Sequence, residues 1–230
     1  MIHQFIFAGP KPGLTAEAFQ SYWVNVHAVD FAAKIPQLRQ YLVALRVHVP
    51  YPREVPFFEG VAEIWFAGEA EQIASLQSPE FLNGARADEP RWAAFWQSLV
   101  LDTDPRLIRG DRDSADEFVK IYVLLKRSPA MALGEFQAQL TADDHCAAVA
   151  GLPQLRRHLI GLARPGLYGL GEPRFDAVEV WSFRDVSAAQ AALADEAGSA
   201  VVRSWSKFTD PRYLFTMVAR EHWIIPPGQR

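Results

Sequence analysis

A single cysteine, Cys146, stands among 230 residues, so neither an intramolecular disulfide nor a thiolate metal cluster is available. No Lys/Arg-rich run occurs, and 23 basic against 27 acidic residues leave a net charge of −4, which argues against a basic nucleic-acid binder. No apolar run approaches the roughly 20 residues of a membrane helix, so no membrane partner is expected. The opening MIHQFIFAGPKPG has no basic leader and no obvious cleavage site, and it reads as structure rather than signal peptide; a cytoplasmic protein is the expectation. A P-loop, a Gly-x-Ser-x-Gly and a His-Glu-x-x-His are also missing. GLYGLG (166–171) precedes a strand instead of opening a helix, so it fails the context test for a dinucleotide site. Asp143, Asp144 and His145 offer ligand types, but neighbours on a helix diverge, so no metal is expected.

What the chain does have is apolar bulk. Half its residues are hydrophobic and seven are tryptophan, enough for a sizeable core in one or two domains. It also repeats itself. IPQLRQYL (35–42) returns as LPQLRRHL (152–159), with five of eight positions identical at an offset of 117, and Phe19 maps to Phe136 at the same offset. GVAEIWF (60–66) is echoed by DAVEVWSF (176–183), which aligns Glu63 with Glu179 and Trp65 with Trp181 at an offset of 116. TDPRL (103–107) is echoed by TDPRY (209–213). Four matches in preserved order indicate a duplication.

Each copy has the same grammar. IHQFIFA (2–8) alternates like a strand, and a helix follows from about Thr15, a good N-cap. It should end before Pro36. Strands near 39–48 and 58–67 come next, split by the proline-rich VPYPREVP. Helical stretches near 69–77 and 90–100 lead to a last strand near 104–109. The second copy runs EFVKIYVLL, a helix around 132–149, strands near 155–164 and 174–183, helices near 187–206, and a strand from about 211. Polar RGDRDSAD (109–116) makes the linker between a first repeat, 1–110, and a second, 111–230. The fold class is therefore α+β, with two tandem ferredoxin-like β-α-β-β-α-β repeats. Each sheet has one face covered by helices and needs a partner for the other. Sheet facing sheet gives a pseudo-dimeric α+β barrel within one chain.

Candidate site residues cluster in the first copy. On the helix 19–31, Trp23 and His27 lie one turn apart, and Asp30 follows at i+3, within reach on a helix surface. A carboxylate orienting an imidazole is what a general base needs. The plain alternative is a structural histidine. His3, Phe5 and Phe7 alternate onto one face of the first strand, and His27 is expected to face the same space. Tyr41, and less so Tyr22, offers a hydroxyl to a substrate oxygen. Glu63 alternates with Trp65 in an apolar strand; a buried Glu needs a partner, with a structural ion pair first and an acid/base role second. Arg39 and Arg156 are strand-end charges or anion clamps. The second copy is not faithful: at the 117 offset, Asp144 stands where His27 does, His145 follows it, and His3, Phe5 and Tyr41 become Lys120, Tyr122 and His158. Two unequal cavities follow.

KPGLTAEAFQSYWVNVHA (11–28), IPQLRQY (35–41), FEGVAEIWF (58–66) and SPEF (78–81) resemble the EthD-like branch of the dimeric α+β-barrel superfamily. The first repeat carries the likeness along most of its length, the second only through LPQLRRHL and AVEVW. The resemblance implies the tandem barrel and also falls on His27. AAFWQSLVLDTDPR (93–106) and His3 are further similar to plant olivetolic acid cyclase, but SPEFLNG lacks the second histidine of that cyclase. Some relatives bind haem, and no histidine here is marked as an axial ligand. Members of the superfamily include cyclases, dehydratases, isomerases and accessory proteins of oxidative degradation. The expectation is a cofactor-independent enzyme acting on an aromatic or polyketide-like carbonyl compound by cyclisation, isomerisation or elimination. His27 would be the base, Asp30 its orienter, and His3 or Tyr41 the carbonyl polariser. Phe5, Phe7, Trp23, Glu63 and Trp65 would line the pocket for a small hydrophobic or aromatic partner. The alternatives are a non-catalytic binding or accessory protein and a cofactor-free monooxygenase. One chain completes a barrel, so a monomer is feasible and a homodimer remains open.

Overall fold

The computed structural model describes residues 1–49, 57–111, 114–169 and 171–230. The strands are β1 (Ile2–Ala8), β2 (Gln40–Arg46), β3 (Gly60–Phe66), β4 (Leu99–Arg109), β5 (Val119–Arg127), β6 (Arg157–Ala163), β7 (Ala177–Phe183) and β8 (Thr209–Ile225). They close into one barrel in the order β1-β3-β2-β8-β5-β7-β6-β4. Within it β4-β1-β3-β2 and β8-β5-β7-β6 each follow the ferredoxin-like order. Two antiparallel seams join them, β2 with β8 and β4 with β6. Closure removes the exposed edges that two open sheets would carry.

The helices are α1 (Ala16–Tyr22), α2 (Glu69–Gln77), α3 (Arg86–Asp88), α4 (Leu133–Leu140), α5 (Asp143–Ala150), α6 (Pro165–Tyr168), α7 (Val186–Ala194) and α8 (Glu196–Trp205). Thr15 caps α1, its hydroxyl accepting from the Ala18 N–H at 3.2 Å. From Trp23 to Phe31 the helix continues with π geometry, and a second π turn spans Glu80–Ala85. Several expected boundaries shift. The helix expected over 132–149 breaks between α4 and α5, where the Thr141 hydroxyl donates to the Gln137 carbonyl and φ departs from helical values. Residues 90–100 form only short 3-10 turns, because β4 starts at Leu99 to meet β1. Most of VPYPREVP and part of RGDRDSAD and GLYGLG lie outside the described residues.

Alternation along the strands sorts side chains into three cores. Phe5, Phe7, Leu42, Val61, Trp65, Tyr122, Val180 and Met217 fill the barrel lumen. Phe19, Trp23, Tyr41, Ile64 and Trp92 pack under the helices of the first half. Phe136, Trp181, Trp205 and Phe208 pack under those of the second. A closed eight-stranded barrel is narrow enough for side chains to meet across it, and here they form one apolar cluster. The sorting corrects one sequence echo. Glu63 stands opposite Phe5 in the ladder, and Tyr122, the counterpart of Phe5, stands opposite Val180. Glu63 therefore corresponds to Val180, not to Glu179. A one-residue slip moves a side chain to the other face of a sheet, so Glu63 faces the lumen and Glu179 the helices.

Candidate acid/base site

The π stretch carries His27 into the helix layer, above β2 and β3. Trp23 anchors it: its ring lies so close to β3 that a Cβ at Gly60 would come within 2.8 Å of it. Trp23 packs edge-on against Phe19 and tilted against Trp92, with centroids 5.3 and 5.1 Å apart. His27 lies over Trp92 at 4.6 Å and beside Phe31 at 6.3 Å.

The partner of His27 is Asp88, at the end of α3. His27 Nδ1 is 2.9 Å from Asp88 Oδ2, and the Tyr22 hydroxyl donates to Asp88 Oδ1 at 2.8 Å. The Arg91 guanidinium stands 3.6 Å from the same carboxylate and is 69 % exposed. Asp88 is almost wholly buried, whereas 9 % of the His27 side chain reaches solvent. Burial pushes the imidazole pKa below its ordinary value, and the Asp88 hydrogen bond and charge oppose that shift without cancelling it. The ring is therefore held neutral near pH 7, with Nδ1–H directed at Asp88 and Nε2 left as the basic nitrogen.

Asp30 takes no part. It is exposed, because the π geometry of Trp23–Phe31 places successive residues at a different angle from the α-helix that the i+3 spacing assumes. Nor does Tyr41 reach outward: it is 1 % exposed, its hydroxyl is engaged by Trp23, and burial raises its pKa. Such a phenol is packed core, not a donor to a bound molecule.

His3, Phe5, Phe7, Glu63 and Trp65 lie on the other side of the sheet, inside the barrel, and so do not share a space with His27. His3 stacks on Trp65 at 4.1 Å, and its Nε2 lies 2.8 Å from Glu63 Oε2. Glu63 also accepts from Lys120 Nζ at 2.7 Å and from the Tyr122 hydroxyl at 2.5 Å. Lys120 reaches on to Glu221 at 2.6 Å. Burial works against ionisation of Glu63, yet Lys120 and His3 hold its carboxyl well below the usual carboxylate range. This network ties β1 and β3 of the first half to β5 and β8 of the second. Replacing His3 and Phe5 by Lys120 and Tyr122 across the repeat is what makes it complementary.

The helix layer of the second half holds a different cluster. Glu179 Oε1 lies 3.1 Å from His145 Nε2 and 2.6 Å from His158 Nε2, and Glu179 Oε2 accepts from the Trp205 indole at 3.3 Å. Burial opposes both shifts, but Glu179 raises the His145 pKa, and the two imidazoles depress that of Glu179. The haem carried by some relatives would need an open layer and a disengaged imidazole. Here both histidines are bound to Glu179 and Trp181 stacks on Trp205 at 5.4 Å, so this layer does not fit it. Among the described residues no group of three or more His, Cys, Asp or Glu is placed to hold a metal ion. No described helix is long and apolar enough to cross a membrane.

Asp88 and Tyr22 complete the dyad that the sequence alone does not show. Asp88 is 61 residues from His27, and the only local signal is an acid in the turn ARADEPRW, where four charged residues compete for notice.

Residues 11–95 match the model of the EthD domain. No curated protein sequence matches the chain. Among solved structures, an anthrone oxidase-like protein superposes with a TM-score of 0.62 at 12 % identity, over 97 % of this chain and 92 % of its own. A protein from Lactobacillus acidophilus, provisionally named a monooxygenase, gives 0.58 at 11 % identity, over 98 % and 96 %. A variant chlorite dismutase from Candidatus Nitrospira defluvii gives 0.54 at 10 % identity, over 96 % and 91 %. At these identities the likeness establishes the fold over nearly the whole chain. The first half thus resembles an EthD domain over residues 11–95, and the whole chain shares the closed-barrel fold of these structures.

Proposed function

We propose that this protein is a cofactor-independent acid/base enzyme acting on an aromatic or polyketide-like carbonyl compound, and that its working site is the helix layer of the first half. The carrying observation is the His27–Asp88 dyad: an imidazole kept neutral by burial and fixed through one nitrogen to a buried carboxylate, with 9 % of its side chain reaching solvent. A general base needs that arrangement. His27 Nε2 takes a proton from carbon next to the carbonyl. Asp88, itself held by Tyr22, orients the ring and favours the imidazolium that forms. Arg91 supplies positive charge beside the enolate oxygen. Trp92, buried beneath the imidazole, and half-buried Phe31 beside it make its surroundings apolar, as an aromatic substrate needs. Two π-helical turns bracket the site, a feature that recurs at functional positions.

Anthrone is a suitable probe, since its methylene protons are acidic and its enolate is aromatic. Exchange of those protons with deuterated solvent, followed by NMR, is expected to be accelerated by the protein and to fall about 10²–10⁴-fold in His27→Ala. Undiminished exchange in that variant overturns the assignment. A cofactor-free monooxygenase is the second reading, favoured by the names of the anthrone oxidase-like and Lactobacillus proteins that share the whole fold. Oxygen uptake with anthrone separates the two: exchange without uptake supports the first, exchange with uptake the second. Binding of anthrone with neither marks an accessory protein.

A further inference from the structure

A groove of about 470 Å³ opens at the far side of the second half, lined by Lys126, Arg127, Pro129, Glu172, Pro173, Arg174, Asp210 and Tyr213. Its floor is built around a charge. Asp176 is fully buried and accepts from the Arg127 N–H at 2.9 Å, from Arg127 Nη1 at 2.6 Å, from Lys126 Nζ at 3.2 Å and from the Tyr168 hydroxyl at 2.5 Å. One carboxylate thus positions two cations side by side, with Lys126 further fixed by the Pro173 carbonyl at 2.8 Å. Both cations then turn to a second carboxylate, that of Glu172. Glu172 Oε1 is ion-paired with Lys126 Nζ and lies 2.9 Å from Arg127 Nη1.

The two carboxylates differ in kind. Asp176 comes from the start of the barrel wall and is sealed in; Glu172 comes from the loop before β7 and its side chain is 54 % exposed. An exposed ion pair is worth little, so exchanging Glu172 for another anion is cheap. Lys126 and Arg127 stay in place without it, because Asp176 and the Pro173 carbonyl hold them. At the rim, Arg174 lies over the Phe175 ring at 5.6 Å and, among the described residues, has no carboxylate partner. Tyr213, also on the groove, is 40 % exposed, with Arg212 5.9 Å from its ring centroid. Pro129, Pro173 and the Tyr213 ring supply apolar wall, while the other groove acid, Asp210, is held by Arg212 at 2.7 Å.

We propose that this groove is a binding site for a small aromatic carboxylate, and that Glu172 occupies it in the free protein as a built-in competitor. The ligand carboxylate takes the place of Glu172 on Lys126 and Arg127, gains Arg174, and lays its ring against Tyr213. The site is independent of the His27 layer and does not rest on the reaction proposed there.

Benzoate, its neutral isostere benzamide, and inorganic phosphate are titrated calorimetrically into the whole protein, into Glu172→Gln and into Arg174→Gln. Both substitutions are at the surface and leave Asp176 and its partners in place. Benzoate should bind Glu172→Gln about tenfold more tightly than the unaltered protein, and Arg174→Gln several-fold more weakly, the scale of one charge-assisted contact. Benzamide should not bind measurably. Equal benzoate affinity in Glu172→Gln and the unaltered protein overturns the competitor, and so does an absence of binding to Glu172→Gln. Benzamide binding as well as benzoate removes the anion requirement. Phosphate binding more tightly than benzoate removes the aromatic preference and with it the proposal.

Discussion

The two helix layers of the barrel descend from one pattern and have gone opposite ways. In the first, one imidazole meets one carboxylate and keeps an edge open to solvent; burial outweighs Asp88 and favours the neutral ring. In the second, two imidazoles and an indole converge on a fully buried Glu179, and the carboxylate outweighs burial at His145. The first arrangement is the one we propose as a base that releases and regains a proton. The second is a buried charge cluster around Glu179, which ties the layer together at a cost in desolvation. A homodimer would have to carry every such change in both halves. A fused chain lets the two layers diverge.

Substitutions separate the two roles. The largest effect should be on rate: His27→Ala lowers anthrone exchange about 10²–10⁴-fold, or roughly 3–5 kcal/mol in barrier, while His145→Ala leaves the rate of the folded protein within about twofold. Comparable losses in both variants would mean that the second layer also reacts. Next comes stability. Glu179→Ala strands two imidazoles in a buried layer and should cost about 3–5 kcal/mol, or roughly 10 °C in Tm. Asp88→Ala, beside a layer that opens to water, should cost about 1–3 kcal/mol. Equal drops in thermal melts would erase the distinction between a working pair and a sealed one. A smaller effect tests the orienter. Asp88→Asn should slow exchange at least about tenfold by favouring the wrong tautomer, and Asp30→Asn should leave it unchanged.

The smallest effect is in pH dependence, and the two layers should tilt it in opposite directions. The folded pKa of His27 lies below its ordinary 6.5, so its contribution is full above about pH 6.5 and falls as the pH drops through the folded value. The folded pKa of His145 lies above 6.5, so its contribution is full below about pH 6.5 and is lost as the pH rises through the raised value. Melts from pH 5 to 8 should therefore show His27→Gln gaining relative stability toward the acid end and His145→Gln gaining it toward the alkaline end. Parallel curves for the two variants would show that the layers are electrostatically alike.

Much of this is legible along the chain. IHQFIFA, GVAEIWF and their counterparts read as largely apolar strands because both faces of each are covered, and the LPQLR echo marks the second copy. His27 stands out for the same local reason, a titratable ring on an apolar helix. Its partner does not. Asp30 is the near acid by count, but π winding turns it to solvent, and Asp88 arrives from a different helix. The Glu63–Glu179 echo misleads for a related reason: identical letters one register apart point to opposite faces of the wall.

The sequence by itself determined the two β-α-β-β-α-β copies, the antiparallel sheets and the divergence of the second half, since periodicity and repeats are properties of neighbouring residues. Only the tertiary structure decided which face of each strand became lumen, that His3 and His27 sit on opposite sides of one sheet, and that Asp88 rather than Asp30 holds the imidazole. Alternation defines two faces without ranking them. The ranking comes from closing β2 onto β8 and β4 onto β6, which makes one face interior, while the helices packed on the other face bring Asp88 to His27 and His145 to Glu179.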